Sequence, residues 1–465
     1  MLAELKTKFI GDKRFYRRVL FMVVPMILQS MITDLVSLVD NIMVGRMGTE
    51  EMSGVAIANQ FVYILTISIF GAVSGPGIFG AQFFGKGDSE GQKQTFRFRL
   101  LICTVISLLA MIIFSVWDTE LLSIFLSKDD EPEKIAETLV YGKKYMKIML
   151  VSFVPFGIGQ AYSSVLCECG YTKVPLISAL SAVGINIFLD YALIFGKFGM
   201  PKMSVEGAAI ATVISKCIQT AVKIIWTHTH LDKNKYAIGL FKGFYIQPKL
   251  FGSIVKRGFP LLMNEFLWVA GMSLVTQCYS VRGLDVIAAR NIASTISNLF
   301  NEVYIQIGAC ISILVGAKLG ANKLDEARDL DNKLLFLSFS AAAVVGVAML
   351  PLAAVFPKIY NVEENIKTLA SFILMVQAFA MPMWAYVNAC YFTLRSGGKT
   401  GITFAFDFGF TWFVMIPLAF CLSRFTNISI YLLFPIVTFS ELIKSVIGYF
   451  MVRSNIWINN IVNKI

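Results

Sequence analysis

PMILQSMITDLVSLVDNIMVG, residues 25–45, carries only two charges, Asp34 and Asp40. About 20 mostly apolar residues in a helix span the roughly 30 Å hydrocarbon core of a bilayer. The stretch reads as a lipid-buried helix, and the fold follows if its kind recurs. Twelve such segments are present, near 16–44, 54–81, 96–117, 136–163, 174–196, 205–227, 254–280, 287–315, 334–356, 367–392, 401–422 and 428–451. Helix is expected for all of them, because an open strand edge in lipid leaves backbone groups unpaired. A barrel would show short alternating segments instead. The expected class is an all-α polytopic membrane protein.

Composition agrees. The 465 residues are 56% hydrophobic and 15% charged, where soluble chains carry about 25% charged residues. The loops on the side of the termini hold 25 Lys and Arg, and those on the other side hold 9. The positive-inside rule places both termini in the cytoplasm of a cell-membrane protein. The net charge of +11 then reflects topology, and no nucleic-acid partner is expected. KTKFIGDKRFYRR before an apolar run imitates a secretory signal, but the run is too long and lacks a small-residue cleavage site, so it reads as a retained first helix.

Eight cysteines lie inside helices or on the cytoplasmic side and read as free thiols. Cys167 and Cys169 are too close in sequence for the usual zinc pair. His228 and His230 read as a solvated loop. RSGGKT at 395–400 imitates the tail of a phosphate-binding loop, yet Thr393 stands where that motif needs glycine. Neither cofactor nor ATP is expected, which leaves an ion gradient or passive transport.

The chain repeats itself. Pro25 matches Pro260, Gly48 matches Gly283, Ala58 matches Ala293 and Gly85 matches Gly320, all at an offset of 235. Pro155 matches Pro382 and Gly170 matches Gly397 at 227, after a deletion between helices 9 and 10. Six helices return a chain to its starting side, so the halves insert alike, about a pseudo-two-fold along the membrane normal. The division is residues 1–227, a linker at 228–253 and residues 254–465. Such a two-lobed chain is expected to work as a monomer in the lipid bilayer. Its proline-bearing helices, Pro25 foremost, are candidates for bending.

An ionisable group in a bilayer is expensive and a functional candidate. Asp34 and Asp40 lie in helix 1. NIFLDYALIFG in helix 5 puts Asn186 and Asp190 one turn apart on one face, and helix 6 places Thr212 and Lys216 likewise. The N-terminal bundle can gather Asp40, Asn186, Asp190 and Thr212 into one pocket of oxygen ligands for a hard cation or a proton. Two close carboxylates in low dielectric cannot both ionise cheaply, which suits a proton carrier. Arg290, Glu302 and Asp407 could line a cleft, while Glu441 and Lys444 are spaced as a helical ion pair.

VDNIMVG, GAQFFGKGD, NIFLDYALIFG and EGAAIATVIS resemble the multidrug and toxic compound extrusion (MATE) family, and the resemblance covers nearly the whole chain. It implies a proton- or sodium-coupled antiporter that exports organic solutes by alternating access. It also implies a cation site at Asp40, Asn186, Asp190 and Thr212. The sequence departs from the family in the second half. Trp384 and Trp268 stand at the positions of acidic residues there, with Glu265 one turn before Trp268 as a possible cavity carboxylate. Lys216 reads first as the partner of some other acid, with pairing to Asp190 or standing in for a metal cation as the alternatives. Two alternatives remain. A lipid-linked precursor flippase of the same superfamily would tend to have extra helices and a strongly cationic cavity. A membrane-embedded enzyme would need a nucleophile–base or metal set, and none is visible.

Overall fold

A computed structural model describes residues 9–126 and 131–465. Among them there is no β-strand, and twelve helices are long and apolar enough to cross a membrane. They are α1 (Lys13–Gly45), α2 (Thr49–Lys86), α3 (Ser89–Val116), α4 (Pro132–Glu168), α5 (Lys173–Phe195) and α6 (Ser204–Thr229) in the first half. The second half has α7 (Pro248–Ser280), α8 (Leu284–Gly320), α9 (Leu324–Ile359), α10 (Glu364–Ser396), α11 (Thr400–Phe425) and α12 (Ile430–Arg453). Several exceed the apolar segments that reveal them. The 38 residues of α2 run to about 57 Å at about 1.5 Å per residue, well beyond the lipid core. Outward side chains such as Val344, 71% exposed, and Phe413, 74% exposed, are apolar because their solvent is hydrocarbon.

Proline leaves its mark in the expected place at one member of a repeat pair. It removes a backbone donor, and α4 tightens into a 3-10 turn at Leu150–Ser152 just ahead of Pro155. Pro25, Pro260 and Pro382 lie inside continuous helices. In α11 a turn of π-helix at Thr411–Met415 follows Asp407 by one turn.

By contact the chain divides into two units. One holds residues 24–80 and 89–251, and the other holds 252–465 together with 1–23 and 81–88. The cut in α1 therefore falls between Val23 and Val24, next to Pro25. In the first unit, aromatic edges meet faces in series: Phe61 with Phe114 at 5.1 Å, Phe114 with Phe153 at 6.1 Å, and Phe96 with Tyr162 at 4.8 Å. Such pairs add packing beyond their buried area. The second unit packs on small side chains: Ala289, Ala293, Ala370, Ala378 and Cys390 are all buried. Small residues let helix backbones approach closely, which is how helices associate where lipid removes the hydrophobic drive.

Three of the basic residues assigned to loops by the sequence are buried in helices. Arg97 is 5% exposed, Arg99 0% and Arg395 7%; the asymmetry of the remaining loop charges stands. Arg99 makes a 2.7 Å ion pair with Glu168 and donates to Pro76 O at 3.0 Å, joining α3 to α4 and α2. The corresponding α9–α10 link is uncharged on one side: Thr393 donates to Asp331 at 2.6 Å.

The repeat is expressed in one contact. A Cβ on Gly85 would run into the Ala317 backbone, and a Cβ on Gly320 into the Gln82 backbone. Residues 82 and 317 are themselves 235 apart, as are 85 and 320, so the two clashes exchange under the repeat. That reciprocity marks an isologous, locally two-fold contact. Gly316 faces Ala81, its own repeat mate. Gln82, 0% exposed, donates to Ser396 O at 3.0 Å and Asn459 O at 3.2 Å, and accepts from Ile461 N at 2.9 Å. Gly85→Val and Gly320→Val are expected to lower the thermal unfolding midpoint to a similar degree. Overpacking typically costs about 1–3 kcal/mol, and here rigid backbone must yield. A variant at one glycine that unfolds like the wild type while the other is crippled would contradict the symmetry.

Candidate ion and solute sites

The first unit holds the carboxyl pair. Asp190 is 0% and Asn186 2% exposed, one turn apart on α5, and Asp40 approaches from α1. The two carboxyl groups lie in hydrogen-bonding range of each other. Apart from that contact, Asp40 Oδ1, both Asp190 oxygens and both amide atoms of Asn186 are buried without a hydrogen-bond partner among the described residues. Buried polar atoms in this state are rare in folded proteins and ask for a functional explanation.

Lys216 on α6 acts electrostatically on Asp40, and its ammonium lies 5.3 Å from the Phe156 ring centre. The acid within its electrostatic reach is thus Asp40. Thr212 is half-buried one turn earlier on the same helix. Asp34 is exposed; six residues from Asp40 is about 240° around the helix, so the two acids occupy different faces.

Two neighbours escape the sequence reading. Tyr145, buried on α4, donates to Asn59 on α2 at 3.3 Å and lies within electrostatic reach of both Asp40 and Asp190. Both residues are uncharged, so a search for intramembrane charge passes over them. The adjacent amides Asn59 and Gln60 in AIANQF, inside an otherwise apolar segment, were the available signal.

The second unit holds a separate polar chain. Asn264 on α7 donates to Asp407 on α11 at 2.8 Å, and Tyr391 on α10 reaches Glu265 at 3.5 Å. Arg395 acts electrostatically on Glu265. Lys444 pairs with Asp407 at 2.5 Å, so the expected helical pair with Glu441 is not its ion pair. Asp407 faces Lys444 across two helices, and Glu441 stays within electrostatic reach. The ammonium also lies 5.4 Å from the Phe406 ring centre and 5.8 Å from that of Phe410. The charge of Asp407 is therefore already matched by a tethered cation. Glu302 accepts from Gln306 on its own helix at 2.9 Å. Arg290 bonds Thr276 and lies over the Tyr279 ring. Trp384 is half-buried and Trp268 is 44% exposed.

No set of three metal-ligating side chains forms among the described residues. All eight cysteines are free thiols. Burial pushes the Cys169 thiol up to about 12, so it is no thiolate ligand at neutral pH.

A profile of the MatE family matches residues 25–192 and again 260–421. The matches begin at Pro25 and Pro260, the pair that opens the internal repeat. The Thermotoga maritima "Probable multidrug resistance protein NorM" is 24% identical over 412 residues, covering 87% of this chain and 85% of that protein. The Halalkalibacterium halodurans protein of the same description is 24% identical over 399 residues, covering 84% of each. A crystal structure of MATE in the bent conformation superimposes with a TM-score of 0.84 at 15% identity, over 96% of both chains. The family match over both halves, the multidrug-protein relatives and twelve helices able to cross a membrane make this a polytopic membrane transporter and not an enzyme. The chain belongs to the MatE family.

Proposed function

We propose that this protein exports organic, drug-like solutes in exchange for protons, with Asp40 and Asp190 as the coupling groups. The observation that carries the reading is the buried Asp40–Asp190 contact, whose remaining oxygens have no partner. Two carboxyl groups in hydrogen-bonding range can share one proton. Lys216 beside Asp40 allows charge to redistribute within the site as the pair takes up and releases its proton. Asn186 and Thr212 complete the polar wall. In this reading the cycle is alternating access, with α1 flexing at Pro25, both termini cytoplasmic, and no cofactor beyond the coupling ion. A proton moving down about 100 mV and one pH unit releases roughly 3.7 kcal/mol. That energy supports a neutral-solute gradient of several hundredfold.

Uptake of a solute panel into everted vesicles, under separate proton and sodium gradients, tests the assignment. Accumulation is expected with the proton gradient alone and none with sodium alone. The opposite result would remove the proton from the mechanism.

The multidrug descriptions of the relatives support an organic substrate, and Trp384, Trp268 and Glu265 are the proposed solute contacts. Trp384→Ala should shift the rank order of transported solutes by several-fold while leaving the proton requirement intact. Loss of coupling with solute binding unchanged would place the ion site in the second unit instead.

A further inference from the structure

The loop between the halves is not a passive tether. Arg97 on α3 donates to three of its carbonyls: Nε to Leu240 O at 2.9 Å, Nη2 to Gly239 O at 3.0 Å and Nη1 to Tyr245 O at 3.1 Å. Gly239 and Gly243 take positive φ of 68° and 81°, which lets the segment fold tightly around that guanidinium. Asn234, buried, anchors the other end through Thr227 O and His230 O. The clamp turns Phe241 outward at 67% exposure and Phe244 at 53%. A loop held this firmly, yet showing its aromatic side chains, is built to present them.

Those two rings line a cavity of about 500 Å³, within the roughly 300–1,000 Å³ range of small-ligand clefts. Its walls are Thr104 on α3, Ile158 and Tyr162 on α4, and Ile224 and His228 on α6. The lining is apolar except at one corner, where the Tyr162 hydroxyl meets His228 Nε2 at 3.0 Å and Phe241 stacks on the imidazole at 5.9 Å. Ile224 lies about 8 Å and Ile158 about 15 Å from the ends of their helices at 1.5 Å per residue. The groove therefore runs from the membrane interface toward the lipid core. Trp226, stacked on His230 at 4.8 Å, and Tyr171, 5.1 Å from Trp226, sit at the same level, as interfacial aromatic belts do.

The mouth is basic. Lys242 lies between Phe241 and Phe244 in the chain and is exposed, as are Lys233, Lys235 and Lys249, against the single acid Asp232 in residues 228–252. We infer that this groove binds one anionic glycerophospholipid, its acyl chain along Ile158 and Ile224 and its phosphate at Lys242. An apolar slot at interface depth, lined by a segment with an exposed lysine next to its lining ring, matches that molecule's acyl chain and anionic headgroup. The inference rests on the membrane reading alone and is independent of the coupling ion.

Native mass spectrometry of the purified full-length protein, titrated with phosphatidylglycerol or phosphatidylcholine of matched chains, tests it. One copy of phosphatidylglycerol should be retained with about fivefold preference, the ratio a single lysine near an anionic surface supplies. Lys242→Glu should erase that preference. Phe241→Ser/Phe244→Ser should lower retention of both lipids. Glycerol phosphate in excess should not displace the bound lipid. Equal retention of the two lipids by the wild type, an unchanged preference in Lys242→Glu, or displacement by glycerol phosphate would each overturn the assignment. Lys242 is solvent-exposed, so its variant remains informative even if the double serine variant fails to fold.

Discussion

Asp40→Asn protein, reconstituted in liposomes, is expected to fold, to bind solute and to accumulate none of it against a gradient. The amide keeps the size of the carboxyl group and can donate a hydrogen bond to Asp190, so the buried contact survives the substitution. What is lost is the ability to gain and release a proton. The accumulation ratio should fall from a gradient of order hundreds, the limit set by roughly 3.7 kcal/mol, to one. Asp190→Asn is expected to behave in the same way, because each carboxyl group lies in hydrogen-bonding range of the other. Counterflow driven by solute alone should persist in both variants, which separates a coupling defect from a folding defect. Wild-type proton-driven accumulation by Asp40→Asn would make the pair structural and move the search to Glu265.

The largest stability effect is expected at Arg99. Its side chain is 0% exposed and that of its partner Glu168 is 4% exposed. Arg99 Nε and Nη1 have no partner among the described residues. Glu168→Ala strands the guanidinium with one carbonyl, that of Pro76. Removing one member of a buried ion pair costs about 3–5 kcal/mol, since the remaining charge stays out of water. The measurement is the unfolding midpoint of detergent-purified protein, with monodispersity after heating as a second reading. Arg99→Leu/Glu168→Leu should recover much of the loss, because two apolar side chains leave no orphan charge. A double variant no better than Glu168→Ala would mean that packing around Gly80, where a Cβ would meet both partners, dominates over charge.

Much of the architecture was legible in the chain alone. Hydropathy is a local property, and a segment of about 20 apolar residues must cross the bilayer whatever its neighbours do. The twelve helices and the chain-level repeat therefore follow from sequence, and the candidate site residues on α1 and α5 follow from the cost of charge in lipid. Helical spacing also put Asn186 and Asp190 on one face. Which side chains meet is another matter, because it depends on how helices distant in sequence rotate and pack.

Lys444 illustrates the difference. Spacing along α12 favours Glu441, yet the structure pairs it with Asp407, thirty-seven residues away, because α11 presents its carboxylate at closer range. Tyr145 and Asn59 bear no charge to betray them and enter the carboxyl site only through the packing of α4 and α2 around α5 and α1. Arg97 and Arg99 look like loop cations in sequence; the fold buries one to hold the linker and the other to hold Glu168. Gly85 and Gly320 could be aligned as repeat mates from sequence, but their reciprocal backbone contact exists only once the helix ends touch. The sequence by itself determined what had to be in the membrane and how many times it crosses. Tertiary structure decided the partners, because in a low-dielectric interior a pairing is set by the few ångströms between helices, which no local pattern encodes.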